Sequence, residues 1–276
     1  MFLINPYIYG GGEQHTYLAD DYAFDAVYSL YKESTTATNC MRIRRDSDNA
    51  ELDIGFVDDF FDQSAISTFC GAAQGWVVTW YDQKNSNNIT QSTAADQPNV
   101  KYSGGVRSNV RFQINEKSLN LGSAITSLGT PPFSFFAPFF AETTNVFQGL
   151  FTTSSVAPSL VVFADTTTAK TKSFRVYNGS TDYPVSAPSV IPTLTITLLS
   201  GFIDASKNMS VFNNGVAGTT NTYTGTYLND DFRIGTNENN SRDFVGGSLG
   251  VYVSGSDLSA DRTTIEAVIN SRLSIY

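Results

Sequence analysis

The sequence predicts an all-β fold of two packed antiparallel sheets, with a few short helices at the periphery. Three observations favour this class. Of 276 residues, 13% are aromatic, only 16% are charged and 21 are glycine, a balance typical of many short strands joined by turns. From about residue 97 onward, apolar segments of strand length alternate with turn residues. One connection, Asn213-Asn214-Gly215, carries the Asn-Gly pair favoured by type I′ hairpins.

The first third of the chain predicts a mixture of helix and strand. Residues 22–33 place apolar side chains at the three- and four-residue intervals of a helix. Residues 63–70 predict a second short helix, which Gly71 ends. Residues 41–45 alternate between apolar and polar side chains, and residues 76–81 form a run typical of a buried strand.

The remaining segments predict strands and one C-terminal helix. The strands span residues 52–57, 133–141, 159–164, 174–177, 193–202, 208–212, 232–235 and 247–253. Residues 259–273 predict the helix, with Ser259 as its N-cap and Asp261 near its positive end. Its buried stripe comprises Ile265, Val268, Ile269 and Leu273. The simplest division is one domain over residues 21–276 behind an N-terminal arm.

Charge and cysteine content exclude several classes of protein. The net charge of −9 and the pI near 4.5 argue against nucleic acid as a partner, because a phosphate backbone needs a basic face. The sequence has neither signal-peptide features nor a membrane-spanning apolar run. We therefore expect synthesis in a cytoplasm and no membrane partner. Cys40 and Cys70 are expected to be buried free thiols.

Residues 1–20 predict an arm that cannot fold alone. Its expected docking residues are Phe2, Leu3, Ile4, Pro6, Tyr7, Ile8 and Tyr9. Three glycines, residues 10–12, follow as a hinge. The arm lies either on its own domain or on a partner, and so many apolar side chains in one run favour a partner.

Several segments of the first hundred residues resemble a known fold family. They are residues 26–30, 41–56, 65–71, 80–83 and 91–98. Together they are similar to the concanavalin A-like jelly roll related to the catalytic domain of fungal α-L-arabinofuranosidase B, and to laminin-G-like domains of bacteriophage virion proteins. Residues 211–216, 233–235 and 246–253 resemble the second half of laminin-G-like sandwiches. The opening Ile4-Asn5-Pro6-Tyr7 is similar to the start of many phage structural proteins.

The resemblance implies a two-sheet jelly roll and a virion structural protein: a capsid decoration, head-fibre or tail-associated component. Other virion proteins, in capsid or tail, would then be partners of the arm, and self-association into a homo-oligomer is expected. The chain would be made in the host cytoplasm and reside in the virion. The alternative is a carbohydrate-binding module that recognises host surface glycans. A third possibility is a retaining glycosidase of the arabinofuranosidase kind.

Catalysis is not expected, because the segment that the resemblance makes catalytic is missing. In the arabinofuranosidases the nucleophilic Glu follows a Cys-Cys-Phe-Asp-Tyr-Gly-Asn segment. Residues 147–155, in the corresponding region, contain neither cysteine nor carboxylate, and the flanking Glu142 and Asp165 match no motif. His15, the only histidine, lies in the arm. We therefore predict a non-enzymatic protein without catalytic residues or cofactor.

Trp80, Tyr81, Asp82 and Gln83 are the candidate glycan contacts. Rings beside a carboxylate and an amide suit a sugar, but a strand that ends in a polar turn needs the same residue types. The structural interpretation, with the two polar side chains bonded to backbone amides, is favoured.

An acidic cluster precedes these residues in the chain. Its carboxylates are Asp46, Asp48, Glu51 and Asp53. They could gather Ca²⁺, but their spacing is not that of an EF-hand loop. Neutralisation by the neighbouring arginines 42, 44 and 45 is favoured, and no metal site is predicted.

Overall fold

The computed structural model describes residues 16–102, 105–113, 117–143, 146–167, 173–237 and 243–276. Over these residues the chain forms two antiparallel sheets that face each other, with the first and last helices on the outer side of one sheet. The predicted antiparallel sandwich with few helices is confirmed.

The helices and strands are short. The helices are Leu18–Asp21 (α1), Gln63–Cys70 (α2) and Arg262–Leu273 (α3). The strands of the first half are Ala26–Ser29 (β1), Met41–Arg45 (β2), Glu51–Ile54 (β3), Phe56–Val57 (β4), Phe60–Phe61 (β5), Gly75–Trp80 (β6), Ile89–Thr90 (β7), Asn99–Tyr102 (β8), Gly105–Phe112 (β9), Leu119–Asn120 (β10) and Phe133–Ala141 (β11). Those of the second half are Phe147–Thr152 (β12), Ser159–Asp165 (β13), Phe174–Tyr177 (β14), Asp182–Val185 (β15), Thr197–Ile203 (β16), Asn208–Asn213 (β17), Val216–Thr222 (β18), Arg233–Ile234 (β19), Gly246–Ser248 (β20) and Gly250–Ser254 (β21).

The strand pairings define two layers. Sheet A has the order β1-β21-β11-β16-β17-β18. Sheet B runs β3-β2-β6-β7-β10-β19-β12-β13-β14-β15. Strands β8, β9 and β20 connect the two layers at one side.

Two apolar cores hold these layers together. The larger lies between the sheets and contains rings such as Trp80, Phe135 and Phe151. The smaller lies on the outer face of sheet A, where α1 and α3 cover Phe136 and Leu198. Because both faces of sheet A are covered, its central strands are buried on both sides.

Several predicted elements are confirmed. Helix α2 has the predicted bounds, begins with the Asp62 carboxylate accepting from the Ala65 N–H, and ends at Gly71 with φ +56°. Strand β2 also has its predicted bounds. The hairpin after β17 has Asn214 at φ 49° and Gly215 at φ 76°, the two positive values that a type I′ turn requires.

The predicted helix over residues 22–33 is wrong, because Ala26–Ser29 forms strand β1 and pairs with β21. All four residues of β1 are buried. Val27 faces the outer core and Tyr28 faces the inner one. A strand that is apolar on both faces loses its period of two, so its spacing resembled that of a helix.

The start of the last helix is also corrected. Helix α3 begins at Arg262, and Ser259 lies in the preceding turn, where its N–H donates to Asp257 Oδ1 over 3.0 Å. The predicted stripe is buried at Ile265, Ile269 and Leu273, and half-buried at Val268.

Both cysteines are free and buried, as predicted. Among the described residues no helix has the length and hydropathy of a membrane span. The predicted docking residues 2–9 lie outside the described residues, so the arm stays a prediction. Leu18 and Ala19, at the end of the predicted arm, are fully buried in the outer core.

Candidate functional site

Strand β6 ends at Trp80, whose side chain points into the inner core. Trp80 is fully buried, and its ring centroid lies 6.2 Å from that of Tyr28. The indole therefore packs between the sheets and is not accessible to a sugar.

Tyr81 follows Trp80 in the chain; its side chain lies on the side away from the inner core and is half-buried. Its hydroxyl donates to Asp53 Oδ1 over 2.6 Å. The same carboxylate accepts two hydrogen bonds from Arg42, at 2.8 and 2.7 Å. Burial and the adjacent Asp53 raise the pKa of Tyr81 to about 12, so its hydroxyl stays protonated. The hydrogen bond to Asp53 holds the ring in place.

Asp82 organises the turn that leaves the strand. Its buried carboxylate accepts from four backbone N–H groups, those of Val27 (2.8 Å), Lys84 (2.9 Å), Asn85 (3.1 Å) and Asn87 (3.2 Å). Burial raises the pKa of Asp82, and the four amide bonds oppose that rise. The predicted bonding of Asp82 to backbone amides is present.

Gln83 connects this turn to the end of β1. Its Oε1 accepts from the Glu33 N–H over 2.7 Å, and its Nε2 donates to the carbonyls of Ser29 and Tyr31 at 2.8 and 2.9 Å. The side-chain amide is thus saturated by backbone and has a structural role, although its partners lie outside the turn that the sequence suggested.

A depression of about 270 Å³ lies above this turn, which we call the polar depression. It is lined by residues 36–39, 81–86 and 88. Three of the four predicted contact residues therefore border one concave surface, and Trp80 does not.

The rim of the polar depression carries polar groups that the fold does not use. Within the described residues, the Asn39 amide and the Ser86 hydroxyl make no hydrogen bond. Asn88 uses its Oδ1 to accept from the Asp82 N–H over 3.0 Å, which leaves its amide nitrogen available. No local sequence pattern pointed to these three residues, because Ser86 and Asn88 lie in the Asp82 turn whereas Asn39 reaches it only through the pairing of β2 with β6.

The acidic cluster beside the depression is paired with arginines, as predicted. Arg42 binds Asp53, and Arg45 binds Asp48 with a shortest distance of 2.6 Å. Arg44 lies 3.8 Å from Asp46. Among the described residues no group of three or more His, Cys, Asp or Glu could hold a metal ion.

The two carboxylates that flank residues 147–155 have partners. Glu142 forms a two-bond ion pair with Arg111, at 2.7 and 2.5 Å. Asp165 is almost fully buried, and its Oδ1 accepts from the backbone N–H and hydroxyl of Thr167 at 2.9 and 2.5 Å.

Comparisons with known proteins give a result at the level of structure alone. No family model matches the sequence, and no curated protein matches it.

Solved arabinofuranosidases share the fold over most of the chain. A variant of a GH54 α-L-arabinofuranosidase soaked with 4-nitrophenyl α-L-arabinofuranoside superimposes with a TM-score of 0.67 at 14% identity over 91% of this chain. An arabinofuranosidase complexed with arabinofuranosyl-α-1,2-xylobiose gives 0.62 at 13% identity, also over 91%. The chain spans 63% of the length of each. It therefore has the β-sandwich fold of these arabinofuranosidases.

These matches correct the predicted absence of enzymatic character. The missing cysteine-rich segment led to the prediction of a non-enzymatic protein, and that prediction is contradicted because the matched proteins are glycosidases. The predicted relation to arabinofuranosidases is supported as a similarity of fold. The virion role stays a prediction.

Proposed function

We propose that this chain is a carbohydrate-recognition domain whose sugar site is the polar depression. The observation that carries the proposal is the set of unused polar groups on Asn39, Ser86 and Asn88, held above a turn that Asp82 and Gln83 make rigid. Binding residues held by a fixed scaffold lose little conformational entropy when a ligand arrives.

The chemistry of the rim suits a neutral sugar. Side-chain amides both donate and accept hydrogen bonds, which matches the hydroxyl groups of a sugar edge. The half-buried Tyr81 ring offers an apolar surface for the C–H groups of a sugar face. At 270 Å³ the depression lies just below the roughly 300 Å³ of the smallest common ligand clefts, so one sugar ring is the expected occupant.

A glycan array followed by calorimetric titration tests the proposal. We expect Asn39→Ala and Ser86→Ala each to weaken binding of the best glycan by about tenfold, because each removes a hydrogen bond to a sugar hydroxyl. Ser67→Ala, on the exposed surface of α2 and outside the lining of the depression, is the matched control and should bind like the wild type. The proposal fails if no glycan binds at high protein concentration, or if both rim variants retain full affinity.

The same preparations are assayed for release of 4-nitrophenol from 4-nitrophenyl α-L-arabinofuranoside. Release would extend the proposal from recognition to hydrolysis. Glu142→Gln and Asp165→Asn would then be compared, and a loss of release in only one of them would identify the carboxylate involved.

We also propose that the chain is part of a virus particle, anchored by residues 2–9. The apolar run, its glycine hinge and the resemblance of the opening residues support this placement. Copurification with intact particles, at a fixed copy number, is the expected result. Deletion of residues 1–12 should abolish it, and equal incorporation of the truncated chain would contradict the anchoring role.

A further inference from the structure

A second concave surface lies at the β18 edge of sheet A, five strands away from β1. At about 4.8 Å per strand the two edges are about 24 Å apart. This surface, the hairpin groove, has a volume of about 710 Å³. It is bordered by the β17–β18 hairpin on one side and by the loop that carries Asp257 and Ser259 on the other.

The groove exists because α3 is too short to cover the whole outer face of sheet A. Its 12 residues span about 18 Å. It covers Phe202 on β16, and the guanidinium of Arg262 lies 4.1 Å from the ring centroid of Phe212 on β17. Beyond that point the outer face of the hairpin is open, and its side chains are polar.

Two cross-strand pairs form the polar floor. Ser210 is directly opposite Thr220, and neither hydroxyl makes a hydrogen bond within the described residues. Asn208 is opposite Thr222, whose hydroxyl donates to Asn208 Oδ1 over 2.7 Å. The floor thus offers a row of hydroxyl and amide groups spaced along two strands, and the buried side chains of Phe202 and Met209 also line the groove.

The charge on the groove is negative. Asp204 and Asp257 are its charged lining residues, and no lysine, arginine or histidine joins them in the lining. Hydrogen bonds, chiefly from the Asn208 side chain, lower the pKa of Asp204, which therefore stays ionised. Asp257 is exposed; its Oδ1 accepts from Ser259, and its Oδ2 makes no bond within the described residues. The nearby Lys207 is engaged elsewhere, because its ammonium donates to the Gly225 carbonyl over 2.8 Å.

We infer that the hairpin groove binds an oligosaccharide that carries protonated amino groups, such as a chain of glucosamine units. The hydroxyl floor would recognise the sugar hydroxyls, and Asp257 Oδ2 would accept a charge-assisted hydrogen bond from an ammonium group. The two carboxylates disfavour sialylated, sulfated and uronic-acid glycans. The groove volume suits a short oligosaccharide, whereas the polar depression suits a single ring.

Titration of the full chain with glucosamine oligomers tests this inference. We expect tighter binding of glucosamine oligomers than of N-acetylglucosamine oligomers of the same length, and a loss of affinity at high salt. Asp257→Asn should weaken glucosamine binding by about tenfold, because it removes a charge-assisted hydrogen bond on an exposed loop. Thr220→Val should also weaken glucosamine binding, because it removes one hydroxyl group from the floor of the groove.

Two controls separate this site from general charge and from the polar depression. Glu51→Gln removes one negative charge from exposed β3 and should not change binding. Asn39→Ala should leave glucosamine binding intact, so the groove and the depression can fail independently.

Equal affinity for free and acetylated oligomers, or wild-type binding by both Asp257→Asn and Thr220→Val, would overturn the inference. It would also be overturned if oligolysine bound as tightly and lost affinity in Asp257→Asn, because the groove would then serve a basic peptide.

Discussion

Single residues decide how the chain leaves strand β6. Trp80, Tyr81, Asp82 and Gln83 are consecutive, yet they have four different roles. The first fills the core, the second lines the surface, and the last two bond the backbone. A motif that looked like one sugar-binding edge is thus mainly a scaffold, and the groups available to a ligand come from its neighbours.

Replacement of Asp82 is expected to destabilise the fold strongly. Asp82→Ala leaves four backbone N–H groups without their acceptor, and a buried unsatisfied donor costs about 1–3 kcal/mol. Because water reaches part of this turn, we expect a loss of about 3–4 kcal/mol in urea unfolding. Ser86→Ala, in the same turn, should change stability by less than about 0.5 kcal/mol. A loss below 1 kcal/mol for Asp82→Ala would contradict the scaffold role.

Asp53 should make the stability of the fold depend on acid pH. Its hydrogen bonds from Arg42 lower its pKa in the folded state. Such a group contributes stability above the unfolded pKa of roughly 3.9, and this contribution is lost as the pH falls through the lower folded value. Wild type should therefore exceed Asp53→Asn by up to about 1 kcal/mol at pH 7, since the pair is partly exposed. Urea unfolding between pH 7 and 3 measures this, and a difference that grows towards pH 3 would refute the assignment.

At the scale of elements, a buried ion pair connects α3 to the end of β1. Arg272, in the last turn of α3, binds Glu33, and Tyr252 donates to the same carboxylate oxygen over 2.6 Å. Arg272 also donates to the Thr16 carbonyl over 2.6 Å. The pair thus fixes the helix, sheet A and the first described residue of the chain at one point.

Removing one partner of this ion pair should lower the free energy of unfolding more than removing both partners together. Removal of one buried partner leaves the other charge uncompensated, at a cost of about 3–5 kcal/mol. We expect such a loss for Arg272→Met in urea unfolding, and a smaller one for the double variant Glu33→Gln with Arg272→Met. The exposed pair Arg42–Asp53 is the control, and its disruption should cost about 1 kcal/mol or less. Additive losses in the double variant would show that the two side chains are not coupled.

Strand β18 is the opposite of β1, which is buried on both faces. The residues of β18 are exposed or half-buried throughout, so it has neither an apolar face nor an alternating pattern, and the sequence did not predict it. Both extremes, a strand covered on both faces and one open on both faces, remove the period of two on which recognition of a strand from sequence depends.

At the scale of the whole molecule, sheet A lies between two cores, and the two concave surfaces lie on different parts of the sandwich. The polar depression is formed by the segments before β2 and after β6, whereas the hairpin groove borders β18. Under the two proposals above, their different charge and size assign a different kind of sugar to each surface. Such a division would suit a domain that contacts a mixed glycan surface at more than one point.

The sequence by itself determined the all-β class, helix α2, the Asn-Gly hairpin and most central strands, because these depend on residues that are neighbours in the chain. Only the tertiary structure decided that Ala26–Ser29 is a strand, that Trp80 is buried, and that Asn39, Ser86 and Asn88 share a rim. The physical reason is distance along the chain: the bond from the Val27 N–H to Asp82 joins residues 55 positions apart. Such contacts form only when the sheets pack, so no local pattern encodes the surfaces they create.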